Sequence, residues 1–218
     1  MPISVVAAFL HLGEKYAIPA FVKEAKSKLR CPFDPTSISS ACCSALDLFP
    51  AITDGDPHNF QIMNLLQEID LNPPLPVAMY QCIITCPLTK MVDGYQFKDS
   101  FYSLSVTNLR SFIRMKGVLE NQRIRLAKDL CKGSPCGQLN CTYRIVRLWS
   151  EDLNVAPPFD TWKSQWDKSK PFCETCAKSV KAKREAAMQE AWNQLPTAFG
   201  FDSWAEMGKS GPCMIRMY

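Results

Sequence analysis

Cys136-Gly137-Gln138-Leu139-Asn140-Cys141 and Cys173-Glu174-Thr175-Cys176 decide how the rest of this chain is read. Two short-spaced cysteine pairs each supply two corners of the tetrahedron that a structural zinc ion takes. The second pair has the commoner spacing, and the first lies at the long end of the range. We therefore expect Cys136, Cys141, Cys173 and Cys176 to form a closed structural zinc site, with Cys131 as a candidate to replace one of them. Such a site ties distant segments together and leaves no coordination position open for a substrate.

The chain carries 11 cysteines, an odd number that cannot pair off completely into intramolecular disulfides. Its apolar start, Ile3 to Leu12, lacks a basic n-region and is interrupted by Ser4 and His11, so no secretory leader is expected. A reducing compartment, cytoplasmic or nuclear, follows as the expectation, and there paired cysteines bind metal more often than they bridge. A redox reading of Cys173 and Cys176 would call for a βαβ pattern around them, which the sequence does not offer. Cys42 and Cys43 read as small core thiols, and so do Cys82 and Cys86, which, four apart on a helix face, are also a candidate metal pair. Cys213 stands too far from the C-terminus for prenylation.

Composition narrows the function classes. A hydrophobic content of 47% is enough for a packed core, and no apolar run approaches the roughly 20 residues of a membrane span. The net charge of +4 is too mild to signal nucleic acid by itself. The catalytic possibilities are equally thin. Only His11 and His58 are available for a nucleophile–base arrangement, and neither lies in a nucleophile motif. His11 reads as a partly buried histidine on an apolar helix and His58 as a first-turn surface residue. No glycine loop of the phosphate-cradling kind is present. We expect no enzyme.

Periodicity points to a mainly α protein. Val5, Val6, Phe9 and Leu10 share a helical face that Gly13 would end. Pro19 can open a second helix that buries Phe21, Val22, Ala25 and Leu29. Residues 31–50 read as loop. Asp56 and Pro57 suit the start of a helix that turns Ile62, Leu65, Leu66 and Ile69 inward, and another helix is expected around Val77 to Ile84. Ser105 is a plausible N-cap for a long helix burying Leu109, Phe112 and Ile113, with Arg110, Arg114 and Lys116 outward. Helices over Tyr143 to Trp149 and from near Cys176 to Trp192 complete the chain. The organisation read from this is residues 1–86 as helical hairpins, 87–104 as a linker or irregular segment, 105–207 as a C-terminal helical module with the cysteine cluster, and 208–218 as a tail. Trp149, Trp192, Phe199 and Trp204 are the aromatics expected to pack that module.

Three stretches in order resemble one family. The first is Phe9-Leu10-His11-Leu12-Gly13-Glu14-Lys15-Tyr16-Ala17-Ile18, with Ala25 and Leu29 beyond. Next come Leu65-Leu66-Gln67-Glu68-Ile69-Asp70-Leu71 and Leu75-Pro76-Val77-Ala78-Met79-Tyr80-Gln81-Cys82. The third joins Cys136, Cys141 and Arg144 to Phe172-Cys173-Glu174-Thr175-Cys176, Trp192-Asn193-Gln194-Leu195-Pro196, Phe199 and Trp204-Ala205-Glu206-Met207. Together they resemble the BTB/POZ-domain proteins of mushroom-forming fungi, from the closing helices of the BTB domain through the cysteine-containing region behind it. The resemblance implies a non-enzymatic adaptor that binds protein partners. It begins near the end of the BTB domain, so the sheet and early helix that serve dimerisation are expected to be missing. Recruitment of a cullin-type ubiquitin ligase is correspondingly weakened as an expectation. Two other classes compete: a zinc-stabilised nucleic-acid binder using the basic runs Arg110 to Arg125 and Lys178 to Arg184, and a thiol- or metal-dependent enzyme.

Overall fold

The computed structural model describes residues 1–29, 49, 51–52, 59–97, 99–152 and 173–209. The described residues are mainly helical, with one small hairpin. In chain order they form α1 (Ile3–Lys15), α2 (Pro19–Lys28), α3 (Asn59–Glu68), α4 (Leu75–Thr85), α5 (Leu88–Asp93), β1 (Tyr95–Phe97), β2 (Ser100–Tyr102), α6 (Val106–Leu130), α7 (Leu139–Asp152), α8 (Glu174–Gln194) and α9 (Trp204–Lys209). A turn of 3-10 helix, Leu195–Phe199, follows α8. The chain divides into two compact units, Met1–Ile113 with Pro196–Tyr218, and Arg114–Leu195.

The first unit is built by packing. Helix α1 buries Ile3, Val6, Leu10 and Gly13, whereas Val5, expected inside, is 37% exposed. Gly13 does not end this helix. A Cβ there would meet the Val22 side chain at 2.8 Å and its backbone nitrogen at 2.9 Å, so the missing side chain is what lets α2 approach α1. Phe9 stacks on Phe21 with ring centroids 5.0 Å apart, which fixes the same pair of helices. The chain reverses through Ala17, whose φ is 52°, and Pro19 then opens α2 as its first residue.

Helix α3 buries Ile62, Leu65 and Leu66, and Ile69 just beyond its end is buried too, the face that its periodicity predicts. Every residue of α4 from Leu75 to Cys82 is buried, including Tyr80. A helix apolar all round is a core element, and α4 is the centre of this unit. Cys82 is a buried thiol, and Cys86, at the C-cap, is half-buried. His11, expected to be partly buried, is exposed and lies 3.0 Å from Glu68. Helix α1 presents it away from its buried stripe, toward the carboxylate at the end of α3.

The stretch read as a linker is structured. Helix α5 buries Met91, and Gly94, with φ at 75°, leads into the β1–β2 hairpin, whose register pairs Tyr95 with Tyr102 and Phe97 with Ser100. A side chain at Gly94 would collide with the Tyr102 carbonyl at 2.6 Å, so the position requires glycine on two counts. Tyr95 packs edge-on against Phe60 at 5.4 Å and stacks on Tyr102 at 5.8 Å. Aromatic packing onto α3, rather than a long alternating pattern, holds these short strands.

Ser105 caps α6 as expected, its hydroxyl accepting from the Asn108 amide at 3.2 Å. Asn64 of α3 secures that end by donating to the Ser103 carbonyl and accepting from the Ser105 amide and the Asn108 side chain, at 3.0, 2.9 and 3.0 Å. Phe112 is buried, but Ile113 is 60% exposed, and the inward face runs instead through Ser111, Phe112, Met115 and Leu119. The sequence reading set the boundary of the C-terminal module at residue 105; the compact units place Val106 to Ile113 and Pro196 onward with the first unit. The Asn64 network supplies the physical reason for the first of these assignments.

The second unit is fastened differently. Leu126 and Leu130 of α6, Ile145 of α7 and Val180 of α8 form its apolar cluster, with Ala127, Ala187 and Met188 packed against it. Around that cluster, Lys183 reaches Asp129 at 3.1 Å, and Glu190 takes Arg125 at 3.2 Å and Gln122 at 3.1 Å. Trp192 is fully buried. In the other unit, Phe199 and Trp204 are half-buried. The Trp149 side chain, residues 31–48, Asp56, Pro57, His58 and residues 210–218 of the tail lie outside the described residues.

Candidate metal centre

Two backbone features bring the cysteine pairs together. After α6 the chain turns through Gly133 and Gly137, with φ of 120° and 69°, values that disfavour any residue with a Cβ. The Gly137 amide donates to the Ser134 carbonyl at 3.0 Å, closing the turn that carries Cys136. Cys141 follows in the first turn of α7, its amide bonded to the Gln138 carbonyl at 3.1 Å. On the other side, Cys173 is the extended N-cap residue of α8 and Cys176 lies in that helix's first turn. The basic residues Lys178 and Lys181 that follow are each paired with a carboxylate, Glu174 at 2.7 Å and Glu185 at 3.9 Å.

The sulfurs of Cys136, Cys141, Cys173 and Cys176 all lie within 4.8 Å of one another, and those of Cys136 and Cys176 are 3.3 Å apart. This is too long for a disulfide, which needs about 2.05 Å. The separations, 3.3 Å for this pair and up to 4.8 Å across the set, bracket the spacing of a tetrahedral site, in which a zinc–sulfur bond of about 2.3 Å separates ligand sulfurs by about 3.8 Å. Cys141 and Cys176 are buried, and Cys136 and Cys173 are half-buried. The donor set therefore fits a metal ion that prefers thiolates, held on four sides by protein. Among the described residues this is the group able to hold an ion, and Cys131, exposed at the end of α6, is not part of it.

Backbone amides interlock the two pairs. The Cys136 amide donates to the Cys176 sulfur, and the Cys173 amide donates to the Cys141 sulfur, so each pair binds the other. A hydrogen bond from the Gln138 amide, supported by the Cys176 thiol, lowers the Cys136 pKa to about 6. Burial pushes Cys176 up to about 12. For Cys141 the Cys173 amide pulls down, but burial and the neighbouring thiols outweigh it and the pKa is raised. Without a cation, one thiol of the cluster ionises readily while its buried neighbours resist. A divalent ion at the centre reverses that, because a coordinating thiol is deprotonated outright.

Sequence reasoning named the four cysteines that converge and missed the groups that support them. The Ser134 hydroxyl accepts from Thr142 at 3.0 Å, donates to the Gln138 carbonyl at 3.1 Å, and lies 3.7 Å from the Cys136 sulfur. The Ser134 amide in turn donates to the Thr142 hydroxyl at 3.3 Å. The turn-rich run Gly133-Ser134-Pro135-Cys136-Gly137 was the available signal for this arrangement. No family model, curated protein or solved structure matches the chain.

Proposed function

We propose that the chain is a non-enzymatic adaptor whose second unit is held closed by one structural zinc ion on Cys136, Cys141, Cys173 and Cys176. The observation that carries the reading is the convergence of four sulfurs within 4.8 Å of one another from two separate segments. With all four corners taken by cysteine, no position remains for a water or substrate, which favours a structural over a catalytic ion. Zinc supplies four strong bonds to a small apolar cluster when it is bound. The chain's own residues do the rest: the turn before α7 presents one pair, the first turn of α8 presents the other, and the interlocking amides orient the sulfurs.

The adaptor role and its protein partners, in the cytoplasm or nucleus, rest on the resemblance to fungal BTB proteins and on the thin catalytic inventory. Cullin recruitment remains the weaker part of that reading. The charge distribution favours protein partners over nucleic acid. Lys116, Arg125, Lys178, Lys181 and Lys183, drawn from the basic runs, are each paired with a carboxylate, which lowers their availability to phosphates. No helix among the described residues is long and apolar enough to cross a membrane.

Metal analysis of the purified full-length chain tests the clasp. One zinc per chain is expected, lost on changing any of the four cysteines to serine; a folded, metal-free wild type overturns it. Titration with duplex and single-stranded nucleic acid across a salt series tests the choice of partner. Tight binding with a steep salt slope would replace the adaptor by a nucleic-acid binder.

A further inference from the structure

Accessibility and spacing differ among the four sulfurs. Cys136 is half-buried, so a small solute can reach it, whereas Cys176 is fully enclosed. Their sulfurs are 3.3 Å apart, and the Cys136 amide points at the Cys176 sulfur. The pair also crosses between segments: Cys136 belongs to the turn before α7, and Cys176 to the first turn of α8.

We propose that the clasp is a redox catch in which a peroxide converts Cys136 and Cys176 into a disulfide that replaces the metal as the tie between α7 and α8. This rests on the zinc reading above. The chemistry balances with hydrogen peroxide as oxidant. The Cys136 thiolate attacks one peroxide oxygen, the O–O bond breaks, and a sulfenic acid and a hydroxide form. The Cys176 thiolate then attacks the sulfenic sulfur, the S–S bond forms, and a second hydroxide leaves. Each hydroxide takes a proton to become water, two electrons pass from the thiolates to the peroxide, and the zinc ion departs because only two of its ligands remain. The sulfurs close from 3.3 Å to about 2.05 Å, a small movement for one side-chain rotation.

Choosing the cross-segment pair has a specific consequence. A bridge within Cys173-Glu174-Thr175-Cys176 would also expel the ion, but it would leave the two segments untied. The Cys136–Cys176 bridge expels the ion and keeps them joined. Oxidation therefore changes metal content without opening the unit, and a thiol reductant with zinc reverses it.

The test treats the zinc-loaded full-length chain with hydrogen peroxide. A chromogenic chelator follows metal release, non-reducing peptide mass spectrometry maps the linkage, and amide exchange reports on α7 and α8. The expected result is one zinc released per peroxide consumed, a Cys136–Cys176 linkage, and retained amide protection in the oxidised, metal-free form but not in the reduced, metal-free form. Cys131→Ser leaves all of this unchanged. A Cys173–Cys176 or Cys136–Cys141 linkage, over-oxidation without a bridge, or loss of protection on oxidation overturns the catch while leaving the zinc clasp standing. A protein that carries no zinc when purified removes the clasp and the catch together.

Discussion

The two compact units solve the same problem with different means. In the unit containing Met1–Ile113, α4 is buried from Leu75 to Cys82, and Phe60, Met63, Leu66, Met79, Tyr80 and Met91 are all almost fully enclosed. Area removed from water is the main stabilising term there, at about 25 cal/mol per Å². In the unit Arg114–Leu195, Leu126, Leu130, Ile145 and Val180 form an apolar cluster, Met115, Leu119, Trp192 and Leu195 are buried as well, and four sulfurs converge in addition to this packing. In a unit this small, a metal tie adds to what apolar burial supplies. The first unit should therefore tolerate loss of metal, and the second should not.

Breaking the clasp gives the largest expected effect. Structural zinc sites contribute on the order of 10 kcal/mol of apparent folding free energy at neutral pH. Cys176→Ser, or a strong chelator, should abolish amide protection over α7 and α8 while α3 and α4 keep theirs. Hydrogen exchange read by mass spectrometry checks this segment by segment. Collapse of both units together would show that the comparison is wrong and that the first unit depends on the second.

What could be read from the sequence follows the same division. The cysteine pairs were legible because ligand spacing is a local property, written in Cys136 to Cys141 and in Cys173 to Cys176. The buried face of α3 was legible because Ile62, Leu65, Leu66 and Ile69 repeat at helical spacing. Gly13 was misread because a glycine that ends a helix and one that admits a neighbouring helix look alike until Val22 is placed beside it. Ile113 was placed inward for a similar reason: α6 turns its buried face, which includes Met115, toward partners that are distant in sequence. The α5 and hairpin segment escaped because Tyr95 and Tyr102 are held by Phe60 and by each other, contacts that no local pattern contains. Of the supporting groups, Ser134 was signalled only by its turn-rich run, and Thr142 not at all, because a single hydroxyl carries no periodicity.

A core substitution sharpens the comparison from the other side. Leu66 is fully buried in α3, and Leu66→Ala removes packed side-chain volume that its neighbours can only partly refill. The expected cost is about 2–5 kcal/mol. Urea titration followed by exchange should lower the stability of the first unit and leave zinc content unchanged. A loss of zinc in this variant would mean that the two sets of interactions are coupled, contrary to the division drawn above.

The smallest effect separates the clasp from the ion pairs around it. Hydrogen bonding to Lys183 is the main cause that holds the Asp129 carboxyl below its usual pKa of 3.8; burial opposes this and Lys132 assists. A carboxylate whose pKa falls on folding contributes stability that is present above the unfolded value and lost as pH drops through the folded one. At neutral pH, Asp129→Asn should therefore cost less than about 1 kcal/mol, because the pair is partly solvated. The cost should also be the same at every pH from about 5 upward, where the carboxyl is ionised in both states. The clasp should behave in the opposite way over that range: protons compete with the metal for thiolates, so its contribution grows as pH rises. Unfolding midpoints of wild type and Asp129→Asn, measured in zinc buffer between pH 5 and pH 8, should therefore climb together and stay parallel. Curves that separate further toward pH 5, with wild type gaining on Asp129→Asn as pH falls, would place the Asp129 carboxyl above its usual range and refute the assignment of Lys183 as the dominant influence. A parallel offset much larger than expected would mean that the Asp129–Lys183 pair, rather than the four sulfurs alone, carries a substantial part of the tie between α6 and α8.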